Sequence, residues 1–424
     1  MLVLEGRVFF RGVLEPLSIG VESGRIVRIA KTLVGDERRD YGDRLILPGG
    51  VDLHVHFREP GMTEAEDFST GTMAAAIGGV TAVFDMPNTK PPVTSRAAFE
   101  DKVRAVRRKA NVDFGLYGAL RSARDAKRWA SLGAPGKMYT AHSAGDLEVT
   151  DDATQRAIVE SLAVTGLRAT VHAEDASMIA AQAGTSLEEH NAARPPEAES
   201  SAIRKLSDAA KTLERPVRIH IAHVTSRAAL DALSGTSFTT EATPHHLLLD
   251  ANRRLKTLGK VNPPLRPPED REALWRALVE GRIDAVASDH APRTETEKDV
   301  PFEEAPPGLP GVETALPLLL RKAKAGDLDI ARFVDVAARR PAEILGLDLG
   351  VLEPGRPASL IVVDPRDVRP IRARDLHSKC GWTPFEGMEA VFPVATYVRG
   401  ELVAEERALA AERLGVHLGV GSDA

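Results

Sequence analysis

Cysteine is almost absent from this chain: Cys380 is the only one in 424 residues. That excludes an internal disulfide framework and a thiolate metal cluster, and it suits a cytoplasmic protein. Any apolar run of about 18 residues is also missing, which excludes an ordinary membrane-spanning helix. Positive charge is in no excess. Lys and Arg number 55 against 61 Asp and Glu, a net charge of −6, whereas a nucleic-acid binder normally carries a basic face. The first residues, MLVLEGRVFF, read as a strand and lack the charged, apolar and small-residue regions of a secretory signal. What is there is an ordinary globular composition, 43% hydrophobic and 27% charged. The length suits a barrel of about 250 residues plus a smaller unit.

Apolar runs alternate with helix-like stretches from about residue 45 to 345. The strand candidates are Leu45–Leu47 running into Val51–His56, then Val80–Met86, Val112–Tyr117, Lys137–Thr140, Leu167–His172, Val217–His223, Phe238–Thr243 and Ile283–Ser288. Between them, segments such as Glu64–Ile77, Arg96–Lys109 and Asp151–Val164 carry helical periodicity. Eight β-then-α units predict an α/β fold, a (β/α)₈ TIM-type barrel over residues 49–349. The two ends share a different style, short strands broken by turns at Glu5-Gly6, Ser23-Gly24, Pro354–Pro357 and Arg399-Gly400. Residues 1–48 and 350–424 are therefore expected to form one small β-sandwich domain interrupted by the barrel. The Ala- and Glu-rich tail after Val403 is expected to hold a helix.

Function in such a barrel gathers at the C-terminal ends of the strands, and polar residues recur there. His54 and His56 close the first strand, two apart and so on one side of it. Lys137 ends the fourth, His172 the fifth, His223 the sixth and Asp289 the eighth. Four imidazoles and a carboxylate suit two divalent ions, Zn²⁺ first among them. A lysine repels a cation unless CO₂ has added to its amine, and the resulting carbamate would bridge two metals. An alternative bridge exists in Thr150-Asp151-Asp152. Position favours Lys137, because those aspartates suit a helix start. His220 has the opposite parity to His223 and should face the helices. His245 and His246 are expected to give supporting hydrogen bonds, and Glu174 and Asp175 either to orient His172 or to start a helix.

The pattern His54-Val-His56, Lys137, His172, His223, Asp289 resembles the binuclear amidohydrolase superfamily over nearly the whole chain. Asp52–Gly61 (DLHVHFREPG), Met86–Thr89 (MPNT), Pro244–Leu247 (PHHL), Asn262–Arg266 (NPPLR), Ser288–Pro292 (SDHAP) and Gly308–Thr314 (GLPGVET) look like dihydroorotases. The resemblance implies reversible cyclisation of N-carbamoyl-L-aspartate to L-dihydroorotate, a step of pyrimidine biosynthesis, through a hydroxide shared by two metals. His54 and His56 would bind the first ion, His172 and His223 the second, with carboxylated Lys137 between them. Asp289 would bind the first ion and act as the catalytic acid/base. Arg58 is the leading grip for the substrate carboxylate, with Asn88 and Asn262 orienting the substrate and Gly308 offering backbone groups to the ring. Arg293 departs from the histidine usual in that family, though arginine also pairs with carboxylates. Thr140–Leu147 reads as a lid segment, with Ser143 its contact. Self-association and a partnership with aspartate transcarbamoylase are further implications. The alternatives are a hydantoinase or allantoinase, or an inactive structural partner of the transcarbamoylase.

Overall fold

In a computed structural model the described residues are 1–420 without 144, 182, 183 and 254. Two β systems organise them. The first is a series of parallel strands, Gly50–Val55, Val80–Asp85, Asp113–Leu116 with Gly118–Ala119, Gly136–Tyr139, Arg168–His172, Arg218–Ile221, Thr239–Ala242 and Ala285–Val286. Each pairs in parallel with the next. The third strand splits, its first part pairing with the second strand and its last part with the fourth. A parallel bridge between Val55 and His290, with His56 N–H donating to His290 O at 2.7 Å, links the eighth strand back to the first. Asp52 reinforces that seam, its Oδ1 accepting from His54 N and Ser288 N at 3.1 Å each. Helices stand between successive strands, and this is the TIM-type α/β architecture expected.

Local chemistry sets the helix ends. Asp67 caps Phe68–Ile77 by accepting from Ser69 and Thr70 N–H, so that helix begins four residues later than its periodicity suggests. Asp151 caps Asp152–Thr165 through Thr154 N–H, and Gly166 ends it in the left-handed conformation.

The second system joins both ends of the chain in one continuous eight-stranded sheet. Its order is Ala408–Leu409, Glu401–Glu405, Pro393–Val398, Leu360–Val363, Glu37–Pro48, Leu2–Phe10, Val13–Glu22 and Arg25–Ala30. Alternation gives it two apolar faces. Leu4, Val8, Ile19, Ile46, Leu360 and Val362 form its own core, while Leu45, Leu47, Ile361 and Val363 join the barrel's core. Leu45–Leu47 therefore belongs to this sheet and not to the first barrel strand, because Leu45–Pro48 pairs antiparallel with Leu360–Val363. The chain crosses to the barrel at Gly49-Gly50, where a Cβ on Gly50 would lie 2.3 Å from Leu316. Residues 371–392 also return to the barrel core, through Ile371, Trp382 and Phe385. Among the described residues the expected tail helix is absent. A two-residue strand, Ala408–Leu409, stands there, and Phe114 bridges to His417 further on. Among the described residues no helix is long and apolar enough to cross a membrane.

Candidate active site

The expected metal ligands His54, His56, Lys137, His172, His223 and Asp289 and the expected substrate contacts border one cleft of about 500 Å³ at the C-terminal ends of the strands. His54 lies inside the first strand and His56 just past it, their ring centroids 5.3 Å apart. Both Nε2 atoms converge on Asp289 Oδ1, at 3.3 and 3.1 Å. These three buried residues form a group able to hold a metal ion. Across the cleft, His172 Nδ1 and His223 Nε2 face each other at 2.9 Å, near enough to share one ion. Burial lowers the pKa of His56 to about 4 and lowers those of His172 and His223, so their rings are neutral, as ligation requires. Burial opposes the charge on Asp289, but the imidazoles of His54, His56 and His223 outweigh it and hold the carboxyl well below its usual range.

Lys137 Nζ lies in the same cleft, buried and without a hydrogen-bond partner. Burial lowers its pKa to about 8, against the opposing pull of Glu241 and Asp289. An unpartnered buried amine is costly, and such an atom marks a place where another group belongs. The donor set of four imidazoles, a carboxylate and this amine fits a two-metal centre. Asp151 and Asp152 lie elsewhere, at the start of their helix. Asp151 accepts from Thr154 N–H, and exposed Asp152 pairs with Lys205 at 3.0 Å.

The ligand rings are held from behind. His54 Nδ1–H donates to Glu241 Oε1 at 2.6 Å, and His56 Nδ1–H to Asn88 Oδ1 at 2.7 Å. His172 Nε2–H donates to Glu174 Oε2 at 2.8 Å, and Arg194 grips the same carboxylate. Burial opposes the charge of Glu174, yet Arg194 and His172 hold its pKa well below normal. Asp175 instead caps the turn Ala176–Met178. The paired roles offered for these neighbours thus divide, one to each.

Asn88 and Asn262 are alike in one respect. Their Oδ1 atoms are taken, by His56 and by His190 Nε2 at 3.0 Å, leaving amide N–H groups for a ligand. Arg58 is buried, its Nε–H donating to Pro292 O at 3.0 Å, and burial with nearby Arg293 lowers its pKa. Arg293 pairs with Glu297 at 3.2 Å while bordering the cleft. Gly308 has φ +130°, and its N–H is engaged by Lys260 O at 3.0 Å, so only its carbonyl is open to a ring. Ser143 borders the cleft within the expected lid, in which Ala144 lies outside the described residues.

Three residues of the site, Arg58, His223 and Asp289, have φ of 59°, 38° and 44°. Non-glycine residues there cost roughly 1–3 kcal/mol each and collect at functional sites. The turn at His223 also explains a correction. Simple alternation sends His220 towards the helices, but His220 Nε2–H donates to Glu241 Oε2 at 3.0 Å inside the barrel. His223 lies two residues past the strand's end at Ile221, and its positive φ breaks the alternation. His246 makes the expected supporting bonds, with Thr243 Oγ1 at 2.8 Å and Pro263 O at 3.1 Å. His245 differs in that its Nε2 is buried without a partner.

Sequence reasoning missed Glu241 and Tyr139. Tyr139 borders the cleft with its hydroxyl buried and unpartnered. Its spacing of two from Lys137 on one strand was the available signal. Glu241 gave a weaker one, a lone acid between small and β-branched residues of a buried strand.

The profile of the amidohydrolase family matches residues 45–403, and the chain belongs to that family of metal-dependent hydrolases. Its curated relatives narrow the class. A dihydroorotase from Methanosarcina acetivorans is 40% identical over 96% of this chain and 92% of its own length. One from Halobacterium salinarum is 43% identical over 91% and 92%. Among solved structures, an L-hydantoinase from Arthrobacter aurescens superposes with a TM-score of 0.92 at 28% identity, covering 98% of this chain and 99% of its own.

Proposed function

We propose that this chain is a dihydroorotase, interconverting N-carbamoyl-L-aspartate and L-dihydroorotate at the cleft. The observation that carries the reading is the convergence of His54, His56 and Asp289 opposite the His172–His223 pair, with the orphaned Lys137 amine in the same cleft. Near-full-length similarity to dihydroorotases supports the choice of ring.

His54, His56 and Asp289 would hold one divalent ion and His172 and His223 the other, with Zn²⁺ the best match to the donors. With its pKa near 8, the Lys137 amine is partly neutral at physiological pH and open to CO₂. The added carboxylate, formed with loss of one proton, would give the two ions a shared anionic ligand. When bound, the ions supply Lewis acidity, polarising the amide carbonyl and bringing the ionisation of water towards neutral pH.

The chain's own residues do the rest. In ring opening, Asp289 takes a proton from the attacking water and delivers it to the leaving ring nitrogen. In ring closure it takes the proton from the carbamoyl nitrogen as that atom attacks the carbon of the protonated carboxyl group, and returns it to the departing hydroxyl, which leaves as water. Such general acid–base work is worth about 10²–10⁴ in rate. Arg58 and Arg293 would bind the free carboxylate of the substrate, while the amide groups of Asn88 and Asn262 orient the ring. Self-association and docking to aspartate transcarbamoylase belong to the same proposal, and native mass spectrometry of the chain alone and with that enzyme tests them.

The deciding assay follows both directions of the reaction before and after chelation, and again with Zn²⁺ and bicarbonate restored. Turnover that disappears on chelation and returns with both additions is expected. A second reading, another cyclic amide as substrate, is favoured by Arg293 and by the likeness to the hydantoinase. Fully metal-loaded protein that opens hydantoin or allantoin but leaves dihydroorotate intact would replace the first reading by the second.

A further inference from the structure

The reaction above does not use a buried polar chain that runs from the metal site down the barrel. Thr239 Oγ1 lies 2.9 Å from His220 Nδ1, His220 Nε2 lies 3.0 Å from Glu241 Oε2, and Glu241 Oε1 lies 2.6 Å from His54 Nδ1. The side chains of His54, His220 and Glu241 are 2%, 4% and 0% exposed, so bulk solvent does not reach their hydrogen bonds.

We propose that Glu241, braced by His220 and Thr239, is a positioning residue that fixes the tautomer of His54 and thereby the affinity of the first ion site. The proposal rests on His54 being a metal ligand, as in the reading above. A carboxylate only accepts hydrogen bonds. Two imidazoles on its two oxygens must therefore both donate, His54 from Nδ1 and His220 from Nε2. His220 Nδ1 is then an acceptor and takes the hydroxyl proton of Thr239, which gives the chain a single consistent direction. The consequence at the far end is a lone pair on His54 Nε2, the atom 3.3 Å from Asp289 Oδ1 and turned into the cleft. Without the carboxylate, a neutral imidazole is free to carry its proton on Nε2, where it blocks ligation.

The support of the four ligand rings is uneven in a way that fits this role. One ring of each pair is anchored to a buried carboxylate, His54 to Glu241 and His172 to Glu174. Their companions are held less firmly, His56 by the Asn88 amide and His223 with an Nδ1 that lacks a partner. His220 matters because it occupies the second oxygen of Glu241. With both oxygens engaged, the carboxylate cannot rotate to offer His54 a different geometry.

The test uses the metal-loaded chain, Glu241→Gln and Thr239→Val, with stepwise Zn²⁺ titration against a chelating indicator. Glutamine has one acceptor and an NH₂ group, so it cannot receive both imidazole N–H groups. Glu241→Gln is expected to weaken one of the two Zn²⁺ sites by about 10–100-fold and leave the other within about threefold. In ¹H–¹⁵N NMR of the loaded protein, the Nδ1 proton of His54 is expected in the parent and lost in Glu241→Gln. If that variant does not fold, Thr239→Val carries the test, with an expected weakening of about five- to tenfold at the same single site, the scale of one lost hydrogen bond. Unchanged affinity at both sites would overturn the proposal. So would equal weakening of both with a lowered Tm, the mark of a merely structural role. Activity is not the readout. A chain that binds Zn²⁺ as described but ignores dihydroorotate would refute the choice of substrate and leave this inference standing.

Discussion

Removing the lysine behind the first metal-ligand strand should destabilise the protein far more than removing its partner carboxylate along with it. Lys102 and Asp85 form an ion pair whose side chains are 1% and 0% exposed. Asp85 also accepts from Phe57 N–H at 2.7 Å, and Phe57 directly follows His56. Lys102→Met keeps the volume of the lysine stem and leaves Asp85 buried with one backbone donor. Breaking a buried pair from one side costs about 3–5 kcal/mol, a large share of the roughly 5–15 kcal/mol that keeps a domain folded. The double variant Lys102→Met/Asp85→Asn retains an acceptor for Phe57 and buries no charge, so it should recover most of that loss.

The loss should also depend on pH. Burial raises the pKa of Asp85 even with Lys102 opposing it, and without the lysine it rises further. A carboxyl whose folded pKa lies above its unfolded value of 3.8 favours the fold when protonated. Stability of Lys102→Met should therefore fall as pH rises through the window above about 4, making the variant relatively better at pH 5 than at pH 8. Urea midpoints of the parent and both variants at the two pH values measure this. A single-variant loss under about 1 kcal/mol would refute the reasoning. So would an equal loss at both pH values, or no recovery in the double variant.

Gly308→Ala meets two obstacles, φ +130° and a new Cβ 2.3 Å from Ala291 O. It should raise KM and cost roughly 1–3 kcal/mol, whereas Gly311→Ala, 3.2 Å from its nearest neighbour and without positive φ, should cost less; urea unfolding and steady-state kinetics compare them. Burial pushes Glu199 up to about 7 from 4.5, against the pull of Arg266. Its contribution to stability is thus complete below about pH 4.5 and is lost by about pH 7. Glu199→Gln should flatten that decline by up to about 3 kcal/mol in denaturation curves. Lys137→Ala should purify with less than two equivalents of metal by elemental analysis, and bicarbonate should have no effect on it; full occupancy would remove the bridging role. Arg58→Met should raise KM for dihydroorotate by about 10–100-fold, on the scale of a lost charged hydrogen bond, while neutral cyclic amides lose little; equal losses for both substrates would count against carboxylate binding.

The barrel strands were legible because each is a short apolar run closed by a residue of a different character. Val51–His56, Leu167–His172 and Val217–His223 all end in a ligand candidate, and the polar set at those ends is visible in the sequence alone. Two kinds of information were not local. Leu45–Leu47 looks like the start of a barrel strand until Leu360–Val363, some 300 residues later, claims it as a partner. That His220 and His223 both turn inward despite opposite parity follows from a positive φ at His223, which no alternation rule contains. Glu241 escaped for a related reason, since a buried acid in a strand gains meaning only when His54 and His220, from two other strands, donate to it.

The sheet shared by the two ends of the chain also has a consequence for synthesis. Pro48 meets Leu360 across roughly 310 residues, and a ribosome adding about 5–20 residues per second needs about 15–60 s to span them. During that interval Glu37–Pro48 can pair with Leu2–Phe10, but its other edge stays open. An open strand edge is a template for pairing with other chains. The nascent chain thus carries an aggregation hazard near its beginning until Leu360–Val363 emerges from the ribosome and covers that edge.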